Sequence, residues 1–150
     1  MKKNKVKKLM ALLNLIISIL FLTWITIITK TAFILPPFLA TAATKYPDPD
    51  WRLHRSIIIL TSYIVSATIG IIFSFFGLAG IFFAVVGSIL SFLIQISFDI
   101  EHPPSILATF LGVLEKVKFF FLIHPIISGV IIIETVNYLF TRFLEPKLTD

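Results

Sequence analysis

Four stretches of this chain run without a lysine or arginine for long enough to cross a lipid bilayer, and they decide which solvent the fold lives in. They extend from Leu9 to Ile28, Ser56 to Phe76, Leu78 to Phe98 and Phe119 to Phe140. A hydrocarbon core of roughly 30 Å needs about 20 apolar helical residues. Composition agrees: hydrophobic residues make up 57% of the 150 and charged residues 14%, more apolar than a single soluble core requires. The expected fold is an all-helical membrane protein, one transmembrane domain over residues 1–150 with four transmembrane helices. His124-Pro125 interrupts the last run. Proline suits a first helical turn but costs about 3 kcal/mol inside a helix, so the regular part is expected from Pro125, with Phe119, Phe120 and Phe121 near the interface.

The chain has no cysteine, which removes disulfides, thiolate metal sites and cysteine nucleophiles. Its net charge of +5 is concentrated at Lys2, Lys3, Lys5, Lys7 and Lys8, against an apolar run. Anionic lipid headgroups are the expected partner of those lysines. Nucleic acid is not, because no soluble domain presents a groove. The basic start also resembles a signal peptide ahead of Ala40-Thr41-Ala42, but its apolar run has spanning length and the small triplet lies well beyond it, so retention is expected. The amino-terminal lysines, with Arg142 and Lys147, favour a multi-pass protein of the cell membrane with both termini cytoplasmic. Lys30, Lys45, Arg52, Arg55, Lys116 and Lys118 are then expected on the opposite side.

Gly77-Leu78-Ala79-Gly80 is the only link between the second and third runs and forces an antiparallel hairpin. Ser62, Ser66, Gly70 and Ser74 recur every four residues on one arm, Gly80, Ala84 and Ser88 on the other. Small residues at helical spacing are an ordinary packing device of membrane bundles, so these stripes are expected to be scaffold.

Two further segments are too apolar for free loops and too short to span. One begins Pro36-Pro37 and contains Leu39-Ala40-Thr41; the other begins Pro103-Pro104 and contains Leu107-Ala108-Thr109. Each is followed by a polar stretch and then a histidine, His54 or His124. The order helix, Pro-Pro segment, helix therefore occurs twice, over about 9–76 and 78–142. Two spans per copy would return the chain to its starting side, which predicts parallel repeats. Prolines preset a first helical turn, so each pair is expected to open a short re-entrant or interfacial helix whose remaining N–H groups point along its axis, where two such starts would cradle a small anion. The bland alternative is that the prolines punctuate loops.

Glu101-His102-Pro103-Pro104 within a four-helix chain resembles the HPP family of integral membrane proteins. Tyr46-Pro47-Asp48-Pro49 through Arg55 is similar to that family's stretch before its second helix, and Pro125 with Gly129 to the start of its last; coverage is roughly Phe33 to Arg142. The resemblance implies a carrier or channel for a small inorganic anion, nitrite being implicated for plant chloroplast members. Ser105, Ile106 and Leu107 stand where the family favours small residues, and Ser56 where it favours asparagine, so selectivity is open to change.

In that reading Pro36, Pro37, Pro103 and Pro104 shape the helix starts, while His102, Arg55 and Arg52 attract or orient the ion. Glu134 is a carboxylate in a spanning run, with Asn137 three residues on and placed to bond it; it is either a proton carrier or a hydrogen-bonded packing residue. Asp99 and Glu101 would oppose an anion unless paired or protonated. Asn14 and Gln95 are expected to make interhelical hydrogen bonds. His54 and His124 are expected as interfacial anchors, and His102 as a cap or a carboxylate's partner. The histidines lack metal-site spacing, and no nucleophile–base pair is legible, so neither a metal, a cofactor nor an enzyme is expected. Four helices enclose little on their own, which favours a homo-oligomer. The alternative is a non-transport membrane assembly or scaffold module.

Overall fold

The computed structural model describes residues 2–44 and 54–144, and every regular element among them is helical. Contacts divide the chain into two units, Met1–Ser56 with Ile131–Asp150, and Ile57–Val130. Three helical segments have the length and hydropathy to cross a membrane: Lys5–Ile28, Ser56–Phe75 and Leu122–Leu144. The expected fourth is shorter. Its helix covers Ile81–Ser97, 17 residues, and so about 25 Å. The chain is thus a multi-pass, all-helical membrane protein with shorter apolar helices beside its long ones.

In the first unit, α1 (Lys2–Ile28) begins well before Leu9, so the lysine-rich start is itself helical. A single 3-10 turn, Ala32–Ile34, leads into α2 (Leu35–Ala43), which packs against α1. Pro36 and Pro37 occupy the first turn of α2, where their fixed φ fits and their missing N–H costs nothing. Pro37, Phe38, Thr41 and Ala42 are buried; Pro36 is exposed.

The second unit holds α3 (Ser56–Phe75, from Ile57 onward), α4 (Ile81–Ser97) and α5 (Ile106–Leu114), the last opened by a 3-10 turn at Pro103–Ser105. The α3–α4 link forms the expected tight hairpin. Leu78 N–H reaches Phe73 C=O and Gly77 N–H reaches Ser74 C=O, with Gly77 at φ 71°, a conformation that glycine adopts without penalty.

The same double bond ends three other helices around residues that are not glycine. Lys30 closes α1, Asp99 closes α4 and Lys116 closes α5, at φ 58°, 54° and 52°. Their following residues, Thr31, Ile100 and Val117, donate back to Thr26, Gln95 and Gly112. Orphan carbonyls at the helix ends are satisfied in each case.

α5 lies along α3 in the same direction. The Ser62 hydroxyl donates to Ile100 C=O before the prolines, Thr109 Oγ1 donates to Ser66 C=O at 2.7 Å, and Gly70 faces Thr109 and Gly112. Lys116 to Phe119 then border the same cavity as Ile71 to Phe76. Lys116 and Lys118 therefore lie at the hairpin end of this unit, the reverse of their expected position. The physical reason is that α5, with its opening turn, advances along α3 for about 20 Å, short of a full bilayer crossing.

The last span is broken where expected. His124 is extended at φ −135°, ψ 125°, as a residue before proline prefers, and the His124-Pro125 bond is cis. Helix α6 (Ser128–Leu139) follows, and the π-helical turn Phe140–Leu144 completes the segment.

Candidate functional site

Burial is inverted relative to a soluble protein. In the second unit Ser62, Ser66, Ser91, Gln95, His102, Ser105 and Thr109 are almost wholly buried, whereas Ile57, Phe75, Ile81 and Phe82 are at least 70% exposed. Such a distribution suits a solvent of acyl chains, where polar side chains gain by facing one another.

The buried polar residues meet around Gln95. It lies at the end of α4 on the face that also carries Ala84, Gly87 and Ser91, and that face packs against α5. Its Nε2 donates to Ser66 Oγ at 2.9 Å and to Ser91 Oγ at 3.2 Å. Its Oε1 accepts from the His102 backbone N–H at 3.1 Å and from Ser105 Oγ at 3.2 Å. Both amide hydrogens and both lone-pair directions are used, which fills this side chain's inventory. Ser66 Oγ also lies 2.9 Å from Ser91 Oγ and 3.3 Å from Ser105 Oγ. Each hydroxyl carries one proton for these several acceptors, so the three serines can exchange donor roles by rotation.

This clamp explains how His102 is held. Asp99 turns the chain in the left-handed conformation, Ile100 N–H bonds back to the Gln95 carbonyl, and the Gln95 side chain captures the N–H of His102. His102 is extended at φ −141°, ψ 93°, as the following Pro103 favours. Its C=O accepts from Ser105 N–H at 2.9 Å and Ser105 Oγ at 2.8 Å. The first N–H after the two prolines is therefore engaged within the turn and does not project as a free donor. The His102 ring packs against the buried ring of Tyr63, centroids 6.0 Å apart and tilted by 48°.

The sequence-predicted residues fall into two groups. His102, Pro103 and Pro104 belong to the second unit and surround the opening of α5. Pro36, Pro37, Arg55, Glu134 and Asn137 belong to the first. Arg52 lies outside the described residues, as do Tyr46 to Pro49. Arg55 is partly buried, and His54 is exposed. His124 Nδ1 lies 2.7 Å from Ser128 Oγ, in the first turn of α6.

Glu134 departs from its expected pairing. Its Oε2 accepts from Ser56 Oγ at 2.5 Å, at the first residue of α3, while both amide atoms of Asn137 are buried and have no hydrogen-bond partner among the described residues. Three residues of helix place two side chains on neighbouring positions without obliging them to bond. Asn14 Oδ1 and Ser18 Oγ, one turn apart on α1, are also buried and have no hydrogen-bond partner among the described residues. An unmatched buried amide costs about 1–3 kcal/mol, so Asn137→Leu is expected to raise thermal stability by about that amount in a detergent melting experiment.

Among the described residues, no group of three or more His, Cys, Asp and Glu forms a possible metal site. Sequence reasoning missed Ser66, Ser91, Ser105 and Thr109 as a polar cluster. Ser66 stood on a stripe assigned to packing, which it also serves; the extra signal was Gln95 seven residues before His102, close enough for one side chain to reach across a helix end.

A family model described as HPP, transmembrane region, matches residues 1–148. The chain belongs to the HPP family. Among curated proteins and among solved structures, none matches it. The family's His-Pro-Pro tripeptide is the segment that Gln95 clamps, with His102 buried and Pro103 exposed at the opening of α5. In this HPP protein the motif thus joins a buried polar cluster to a short helix.

Proposed function

We propose that this HPP protein moves a small inorganic anion, nitrite or a relative, across the cell membrane as a carrier or channel rather than an enzyme. The observation that carries the proposal is the cluster of Gln95, Ser66, Ser91, Ser105 and His102, polar groups concentrated inside a unit that is apolar outside. A dehydrated anion requires replacement donors, and rotatable hydroxyls beside an amide and an imidazole supply that chemistry. Family membership supports the membrane setting.

Ile81–Ser97 acts as the fourth spanning helix in this reading, since 17 residues is the lower limit of about 17–25 for a crossing helix. The lysine-rich start is cytoplasmic and faces anionic headgroups, and the protein is a homo-oligomer. His102 and Arg55, with Arg52, attract or orient the ion, while Pro36, Pro37, Pro103 and Pro104 set the starts of the short helices. Glu134, bonded to Ser56, couples proton movement to the anion.

Flux in proteoliposomes tests this reading. Nitrite or a related anion is expected to cross faster than in protein-free vesicles; indifference to nitrite, nitrate, chloride and formate by correctly folded protein would overturn it. The His102→Ala variant discriminates further. Gln95 holds the backbone of residue 102, so alanine keeps that bond. Loss of a side-chain contact to a charged ligand, about 1.5–3 kcal/mol, should lower flux by about tenfold or more while melting temperature changes little.

One observation favours a non-transport assembly module instead: the Gln95 amide is fully bonded within its own unit, so the cluster needs no ligand to be complete. Under that alternative His102→Ala would disturb folding, not flux alone.

A further inference from the structure

At the hairpin end of the second unit lies a partly open cavity of about 640 Å³, lined by Ile71, Ile72, Ser74, Phe75 and Phe76 from one side and by Lys116 to Phe119 from the other. Its wall is mostly apolar and holds two cations and no acid. The neighbouring Glu115 is exposed and is not part of the wall. Among the described residues neither Lys116 nor Lys118 has a carboxylate partner. Lys116 is fixed in the left-handed turn that ends α5, with its N–H on Val113 C=O and the next N–H on Gly112 C=O, so the backbone that carries it is closely defined.

We propose that this cavity is a binding site for an anionic phospholipid, with an acyl chain along Ile71, Ile72, Phe75 and Phe76 and the phosphate at Lys116 and Lys118. Three features agree on that occupant. The cavity lies at the last turn of a spanning helix, the level at which a bilayer changes from acyl chains to headgroups. Its volume falls within the roughly 300–1,000 Å³ of small-molecule sites. Its charge is of one sign and stands at one edge of an apolar wall, the complement of an amphiphile with an anionic head. A neutral lipid would leave two lysines unmatched, and a free phosphate would leave the apolar wall unused. The site is separate from the His102 cluster, and no step of anion movement is routed through it.

The test is lipid-dependent thermal stability of the full chain purified in a neutral detergent. Phosphatidylglycerol is expected to raise the melting temperature by at least about 4 °C at saturation, whereas phosphatidylcholine with the same chains and inorganic phosphate alone are expected to give little shift. In the Lys116→Gln/Lys118→Gln double variant, most of the phosphatidylglycerol shift should vanish. Both lysines are exposed, so this variant should fold. Ser74→Phe, which fills the cavity from α3, should abolish the shift without removing charge. Equal shifts with phosphatidylcholine would overturn the proposal, as would a full shift from phosphate alone, no shift with any lipid, or a shift that persists in the double lysine variant. Should Ser74→Phe fail to fold, the lysine variant decides.

Discussion

Replacing Gln95 by leucine is expected to cost about 3–5 kcal/mol and to release the Phe98–His102 link from the end of α4. Individual side-chain hydrogen bonds within membranes are worth only about 0.6 kcal/mol on average and about 1.7 at most. Four such bonds converge on this amide, and removing it also strands the His102 N–H, which adds about 1–3 kcal/mol. The orphaned donor is what separates Gln95 from its neighbours. Ser91→Ala, which removes one hydroxyl whose partners can bond each other, should cost about 0.6–1.7 kcal/mol. Melting in detergent gives both values. Equal, small losses for the two variants would refute the role assigned to Gln95.

A second large effect is expected at Gly70. A Cβ there would stand 3.4 Å from Thr109 C=O and 3.6 Å from Gly112 Cα, ordinary contact for one methyl group and no room for more. Gly70→Ala should therefore change stability by less than about 1 kcal/mol, although Gly70→Leu should cost about 3 kcal/mol or more, since a branched side chain would overlap backbone that cannot rotate away. The consequence reaches beyond the clash. Separation of α5 from α3 also breaks the 2.7 Å bond from Thr109 Oγ1 to Ser66 C=O. Hydrogen exchange should report this as lost protection across Ile106–Leu114 while α3 itself stays protected; unchanged protection in Gly70→Leu would show that the two helices do not depend on this contact.

The long helices were legible because uncharged runs of spanning length admit few other structures in lipid. The break at His124-Pro125 was legible for a local reason, the restraint that proline places on its predecessor. Depth was harder. Nothing in the letters Pro103 to Leu114 distinguishes a helix that dips and returns from one that advances along its neighbour, because that choice rests on which residues of α3 it meets. Gly70 and Ser66 carried the answer as a stripe, but a smooth stripe announces close approach without naming the partner. The polar cluster was legible in pieces for the same reason. Gln95 was assigned an interhelical bond and His102 a cap, yet their connection depends on a left-handed turn at Asp99, a conformation sequence rarely flags outside glycine. Glu134 met Ser56, 78 positions away, instead of its helical neighbour, since spacing along one helix carries no information about the helix packed against it.

Three helix-ending turns place a lysine or an aspartate where the backbone would more easily accept glycine. Sliding any of those helices along the bilayer normal would drag an ionised group toward the hydrocarbon midplane, where such groups cost about 2.5–3.5 kcal/mol on insertion scales. Lys30, Asp99 and Lys116 thus act as depth stops: a modest conformational strain at each turn fixes the vertical register of the helix it closes.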